Sequence, residues 1–130
     1  VLAHNELKTA IYGKLTSASS FNTNIGGRVY YLQAPHSTAY PYCVFSFFSD
    51  LYSFDSGKKW EEIFIQFSIY DNSSSNIGTL ESNLIDLLRD AALTFTNFTQ
   101  IDLQRTAKRY LLYTDIFNTI LEYRIEIEHT

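Results

Sequence analysis

Residues 118–129, NTILEYRIEIEH, set the terms for the rest of the chain. Leu121, Tyr123, Ile125 and Ile127 alternate there with Glu122, Arg124, Glu126 and Glu128. Successive side chains of a strand point to opposite faces, so a period of two describes a strand with one covered and one wet face. Residues 60–71, WEEIFIQFSIYD, repeat the pattern. Ile63, Ile65, Phe67 and Ile69 lie on one side and Glu62, Gln66 and Ser68 on the other, with Phe64 and Tyr70 interrupting the polar side. Two such strands need an apolar layer to cover them.

Helical spacing supplies that layer. Leu7, Ala10, Ile11, Leu15 and Ala18 recur on one helical face, with Asn5 as its N-cap. Ile77, Leu80, Leu84, Leu87, Leu88 and Ala91 form a second stripe, with Gly78 pushing the helix start toward Thr79. Arg28 to Leu32, Tyr42 to Phe48 and Gln100 to Leu112 read as strands, the second apolar on both faces and therefore central. Pro41 lacks a donor, so it suits only a strand's first residue or an edge. Ser19 to Gly27 reads as a polar loop ending in Gly26-Gly27, and Asp50 to Lys59 as a polar-aromatic loop containing Gly57. The order α-β-β-β-α-β-β predicts an α+β fold: a mainly antiparallel sheet of about four to five strands with two helices packed on one face. No linker or repeat interrupts it, so residues 1–130 are expected to form a single domain.

Composition narrows the function. Hydrophobic residues make up 45% of 130, enough for a core without disulfides or metal. Ten Tyr, ten Phe and one Trp favour both sheet and interface. A net charge of −4 argues against a protein that tracks nucleic-acid phosphates. A lone cysteine cannot close an internal disulfide and suits a reducing compartment. No apolar run reaches the ~18 residues of a membrane span, and neither a span nor a signal peptide is expected. Without a secretory signal, the glycosylation-like tripeptides at Asn72 and Asn97 read as chance matches.

Catalytic chemistry is not expected. Cys43 sits among apolar neighbours, where a thiol behaves as a small hydrophobe. His4, His36 and His129 are scattered and show no metal-ligand spacing. Glu61 and Glu62 point to opposite faces, and Gly26-Gly27-Arg28 is no phosphate loop. No catalytic, cofactor-binding or metal residues are therefore assigned. Two groups remain as candidate partner contacts. Leu51, Tyr52 and Phe54, with Trp60, form an aromatic segment that is either ordered by a partner or folded back over the sheet. Arg105, Lys108 and Arg109 form either a cationic patch facing acidic residues such as Glu122, Glu126 or Asp55 of a neighbour, or a solvated strand face. The aromatic strands also leave open a sheet domain that binds RNA or a small ligand, although the Lys/Arg-Gly-aromatic run of such platforms is missing.

The order of these pieces resembles a known family. A helix of LKTAIYGKL type, GGRVYYLQAP, a gap, YPYCVFSF, FIQFSIYD, the helix LESNLIDLLRD and a closing YRIEIE strand are similar to the tail-completion proteins of long-tailed bacteriophages, the tail terminators or tail-to-head joining proteins. The stretch KRYLLYTDIFNTILEY departs from that pattern. The resemblance implies a non-enzymatic subunit without cofactor that forms a ring, a hexamer, on the end of the tail tube and docks the tail to the head connector. It implies the tail-tube protein and the connector or stopper protein as partners, no membrane, and DNA only by passage through the ring. It also implies assembly in the host cytoplasm and a place at the head–tail junction of the virion. A connector or stopper on the head side is the alternative within the same setting.

Overall fold

The computed structural model describes residues 3–55, 57–89, 91–93 and 95–129. Eight elements follow in order: α1 (Ala3–Leu15), α2 (Ser20–Ile25), β1 (Val29–Tyr31), β2 (Tyr42–Asp55), β3 (Lys58–Asp71), α3 (Ser74–Leu88), β4 (Phe98–Tyr113) and β5 (Ile116–His129). The fold is α+β, with five strands in the order β1-β2-β3-β5-β4. All pairings are antiparallel except β1 with β2, which is parallel, Val29 lying opposite Cys43. The expectation of a mainly antiparallel sheet therefore holds with one parallel edge.

The two alternating strands sit at the centre and bury the side their pattern marked. Ile63, Ile65, Phe67 and Ile69 of β3 and Leu121, Tyr123, Ile125 and Ile127 of β5 join Cys43 and Phe45 of β2 in one core. Register aligns them, with Ile65 opposite Tyr123, Phe67 opposite Leu121 and Phe45 opposite Phe67. Leu7, Ile11 and Leu15 of α1 and Ile77, Leu80, Leu84 and Leu88 of α3 complete that core. Three expected details of the helices change. Asn5 lies inside the first turn of α1, and Ala18 lies beyond its end and is exposed. The second helix begins at Ser74, capped by the Ser73 side chain accepting from the Asn76 amide, so Gly78 is interior.

Ser19 to Gly27 is not a loop. It holds α2, a third helix, whose Phe21 and Ile25 are buried and whose N-cap Ser19 accepts from the Asn22 amide. This helix packs on α3, while α1 lies along β1 and α3 spans β3 and β5. Gly26 ends it at φ 68. The left-handed backbone favours glycine, and a Cβ there would also meet the Arg28 guanidinium at 2.7 Å and force that side chain to shift. That guanidinium is held in turn, its Nε donating to the Pro41 carbonyl at 2.7 Å. Pro41, in a cis peptide bond with Tyr40, thus sits immediately ahead of β2, as its missing donor requires.

The expected loop over Asp50 to Lys59 is likewise regular structure. Strand β2 continues to Asp55 and turns at Gly57, φ 80, into β3, pairing Tyr52 with Glu61 and Ser53 with Trp60. The segment, expected either to be ordered by a partner or to fold back over the sheet, is a hydrogen-bonded hairpin formed within the chain. Strand β2 is also not covered on both faces: Phe48 is 50% exposed.

Candidate functional site

Two unpaired sheet edges dominate the surface. Strand β4 is the last strand of the sheet, and its outer edge runs free from Phe98 to Tyr113. On the other side β1 reaches only as far as Phe45, whose carbonyl accepts from the Leu32 amide at 2.9 Å. Beyond it the outer edge of β2 from Ser46 to Asp55 is open. Unpaired edges present rows of free donors and acceptors and pair readily with another chain.

The aromatic residues singled out from sequence lie on one of these edges. Leu51, Tyr52 and Phe54 are 56%, 56% and 63% exposed, and Trp60 stands half-buried opposite Ser53. They do not form one patch. Tyr52 pairs with Glu61 and Phe54 with Lys59, on the face that carries the helices. Leu51, opposite Glu62, and Trp60 look out from the other face. The arm thus presents apolar surface on both sides.

The cationic residues separate in the same way. Arg105 pairs with Tyr123 and Lys108 with Leu121, on the helix side, whereas Arg109 faces away beside Ile120. Lys108 is committed within the chain, its ammonium 2.8 Å from a Glu81 carboxylate oxygen that also accepts from the Tyr110 hydroxyl at 2.8 Å. That carboxylate holds the Lys108 ammonium above its ordinary pKa. Arg109 is bound to Glu122 at 3.0 Å. Arg124 gathers Asp102, Glu62 and Glu126 at 3.1, 3.5 and 3.6 Å, so the acidic stripe of β5 is largely neutralised by its own strands. Among the described residues Arg105 alone of the three candidates makes no ion pair, and its charge lowers the Tyr123 pKa against the rise caused by burial. The Asp55 side chain, named as a possible counter-charge, lies outside the described residues.

Sequence reasoning did not single out a second exposed apolar run. Tyr110, Leu111, Leu112 and Tyr113 are 60%, 41%, 69% and 51% exposed, in succession at the end of edge strand β4. The signal was present as four apolar residues without alternation, the KRYLLY run that departs from the family pattern. Register places this end at the opposite pole of the sheet from the β2–β3 arm, since Phe117 pairs with both Leu112 and Asp71 while His129 pairs with Phe98.

Cys43 is fully buried, and desolvation pushes its thiol up to about 12, far from a reactive thiolate. His4 is engaged by the Tyr31 hydroxyl at 2.7 Å and His129 by Glu61 at 2.6 Å. Among the described residues no three His, Cys, Asp or Glu side chains converge as a metal set. An open groove of 660 Å³ is lined by Asn5, Glu6, Thr9, Lys14, Ser17 and Ala92 among others, and its polar groups are engaged within the chain, the Ser17 hydroxyl donating to the Lys14 carbonyl at 2.6 Å and the Glu6 carboxylate accepting from the Thr96 and Asn97 amides.

No protein-family model and no curated protein matches the chain. Its fold does match a solved structure. A chain from the virion of a native gene transfer agent particle superimposes with a TM-score of 0.82 at 17% identity, over 98% of this chain and 99% of that one. At that identity the likeness concerns the fold, and it extends end to end.

Proposed function

We infer that this chain is a non-enzymatic structural subunit of a phage-like virion, and within that class a tail terminator or tail-to-head joining protein. The observation that carries the reading is the end-to-end fold match to a virion chain, with 98% and 99% of the two chains superimposed and neither contributing an extra unit. Two open edges and apolar arms at both poles of one sheet support it, because a ring subunit must offer different surfaces to its two neighbours. In this reading copies meet head to tail and close into a ring, a hexamer, on the end of the tail tube. The β2–β3 arm, with Leu51, Tyr52, Phe54 and Trp60, supplies apolar contact. The basic strand β4, with Arg105, Lys108 and Arg109, meets a neighbour, and Arg105 carries the uncommitted charge. The tail-tube protein and the head connector are the partners, DNA passes only through the lumen, and assembly in the host cytoplasm precedes residence at the head–tail junction. No cofactor or catalytic residue enters.

Co-sedimentation distinguishes the possibilities. The purified chain is expected to sediment with tail tubes that lack heads and to cap their free ends. Binding instead to DNA-filled heads without tails would assign it to the head-side connector, and salt-sensitive binding to an oligonucleotide alone would contradict a neck role.

A further inference from the structure

The exposed run at the end of β4 has a counterpart on the far edge of the same sheet. Leu112 is 69% exposed and pairs with Phe117, which packs against the core, so its side chain stands on the face that carries the helices. Tyr110, two residues earlier, lies on that same side, its hydroxyl reaching Glu81 of α3. Leu111 and Tyr113 turn to the other face. Leu112 is therefore an apolar knob on the outermost strand, with Asp115 exposed in the turn that follows. At the opposite edge, α1 and β1 border an open groove lined by Lys8, Tyr12, Gly27, Val29, Tyr31 and Phe45 among others. Its 430 Å³ falls within the ~300–1,000 Å³ of ordinary binding pockets. Tyr31 forms a fixed wall, its ring 5.3 Å from that of Phe45 and its hydroxyl 2.7 Å from His4 Nε2. The Lys8 ammonium lies over the same ring at 5.1 Å. Among the described residues neither Lys8 nor Asp115 makes an ion pair.

We propose that Leu112 of one copy docks in the α1–β1 groove of the next copy, with Asp115 meeting Lys8 at the rim. The pairing deepens the head-to-tail assembly proposed above and rests on it. Strand register puts knob and groove at one level. Tyr110 pairs with Thr119, Thr119 with Ile69, Ile69 with Cys43 and Cys43 with Val29, so a single row crosses the sheet from one edge to the other. Two residues further along, Leu112 stands level with Gly27 of the groove lining. Knob and groove are thus related by a rotation about an axis along the strands, without a shift along it. That is the condition under which head-to-tail contacts close into a ring instead of running on as a filament. The two halves lie on opposite edges of one sheet, so a single copy cannot bring its own knob to its own groove. The exposed residues of the β2–β3 arm do not compete for the site, because they lie at the other pole. Burial of the leucine between apolar walls supplies the affinity, and the opposite charges fix the register and speed the encounter.

The test mixes two forms of the whole chain at high concentration and reads contacts between them by nuclear magnetic resonance. One form carries a nitroxide spin label at Thr114→Cys, an exposed turn position, while buried Cys43 stays unlabelled. The other is isotope-labelled and otherwise wild type. The amide signals of Lys8, Tyr12 and Gly27 in the isotope-labelled copy are expected to broaden, and those of Leu51 and Phe54 to stay sharp. Adding Leu112→Asp to the spin-labelled copy, at a position the core does not use, is expected to abolish the broadening. Lys8→Glu in the receiving copy should weaken it about threefold, and Asp115→Lys in the spin-labelled copy should then restore it. Broadening centred on another surface, no broadening, or broadening that survives Leu112→Asp would overturn the proposal. Capping of tail tubes by the Leu112→Asp chain would also overturn it while leaving the ring role standing. Broadening at the groove by a chain that never caps tubes would support the docking and count against the neck role alone.

Discussion

Phe67 and Phe64 stand three residues apart on the same strand but on opposite faces, and truncating each to alanine should give very different results. Phe67 is 1% exposed, pairs across the sheet with Phe45 and Leu121, and meets Tyr123 edge-on at a centroid separation of 5.5 Å. Phe64 is half-buried on the open face, with its ring 5.9 Å from that of exposed Phe48. Removing a fully buried phenyl forfeits its transfer free energy and leaves a cavity, costing about 3–5 kcal/mol, part of it from the lost aromatic pair. At roughly 0.05–0.15 kcal/mol per residue the whole fold is worth about 6–20 kcal/mol, so this is a large fraction. For a chain of this size it corresponds to a fall in Tm of about 10–20 °C. Phe64→Ala exposes an already wet site and should cost about 1 kcal/mol or less. Urea denaturation followed by circular dichroism measures both. A Phe67→Ala loss below about 1.5 kcal/mol, or equal losses for the two variants, would mean that the helices do not cover the assigned face.

Cys43, buried and with its thiol raised to about 12, is expected to resist alkylation at pH 8 in the native protein and to react only as the fold opens. Cys43→Ala should cost about 1–2 kcal/mol and leave assembly intact, so loss of assembly by a folded variant would give the thiol a role beyond packing. Arg105→Glu should leave stability unchanged yet slow association with its partner about tenfold at low salt, the effect vanishing at high salt. Arg109→Glu should instead act on the chain itself by placing two acids together at the Glu122 pair, and an association rate indifferent to Arg105 at any salt would make that residue a solvated part of the strand.

The readable parts of the fold were those in which one face is wet and the other dry. Ile63 to Ile69 and Leu121 to Ile127 announced themselves because burial on one side imposes alternation on the sequence. The β2–β3 arm was illegible for the converse reason. Leu51, Tyr52 and Phe54 are exposed on both of its faces, so no contrast of period two survives, and Gly57 reads as a loop marker although it serves a tight hairpin turn. The short helix α2 carries only Phe21 and Ile25 in a Ser/Asn/Thr-rich stretch of low helix propensity. It stands by its Ser19 cap and by packing on α3, which are tertiary facts. The parallel pairing of β1 with β2 leaves no local trace. The cationic residues were grouped by nearness in sequence, whereas neighbouring positions on a strand face opposite ways, and the irregularity between Arg105 and Ala107 decides which ones share a face. The involvement of Lys108 with Glu81, 27 positions away in sequence and on another element, depends on the topology that lays α3 beside β4.

The proposed role is that of a ring-forming component of a virion neck. Cryo-electron microscopy of purified particles, with the chain carrying a small C-terminal label, tests that most directly. The expected result is one ring of six labelled copies where the tail tube meets the head connector, with the β2–β3 arm and strand β4 at subunit contacts. Label distributed along the tail, found on the capsid shell, or missing from intact particles would contradict it.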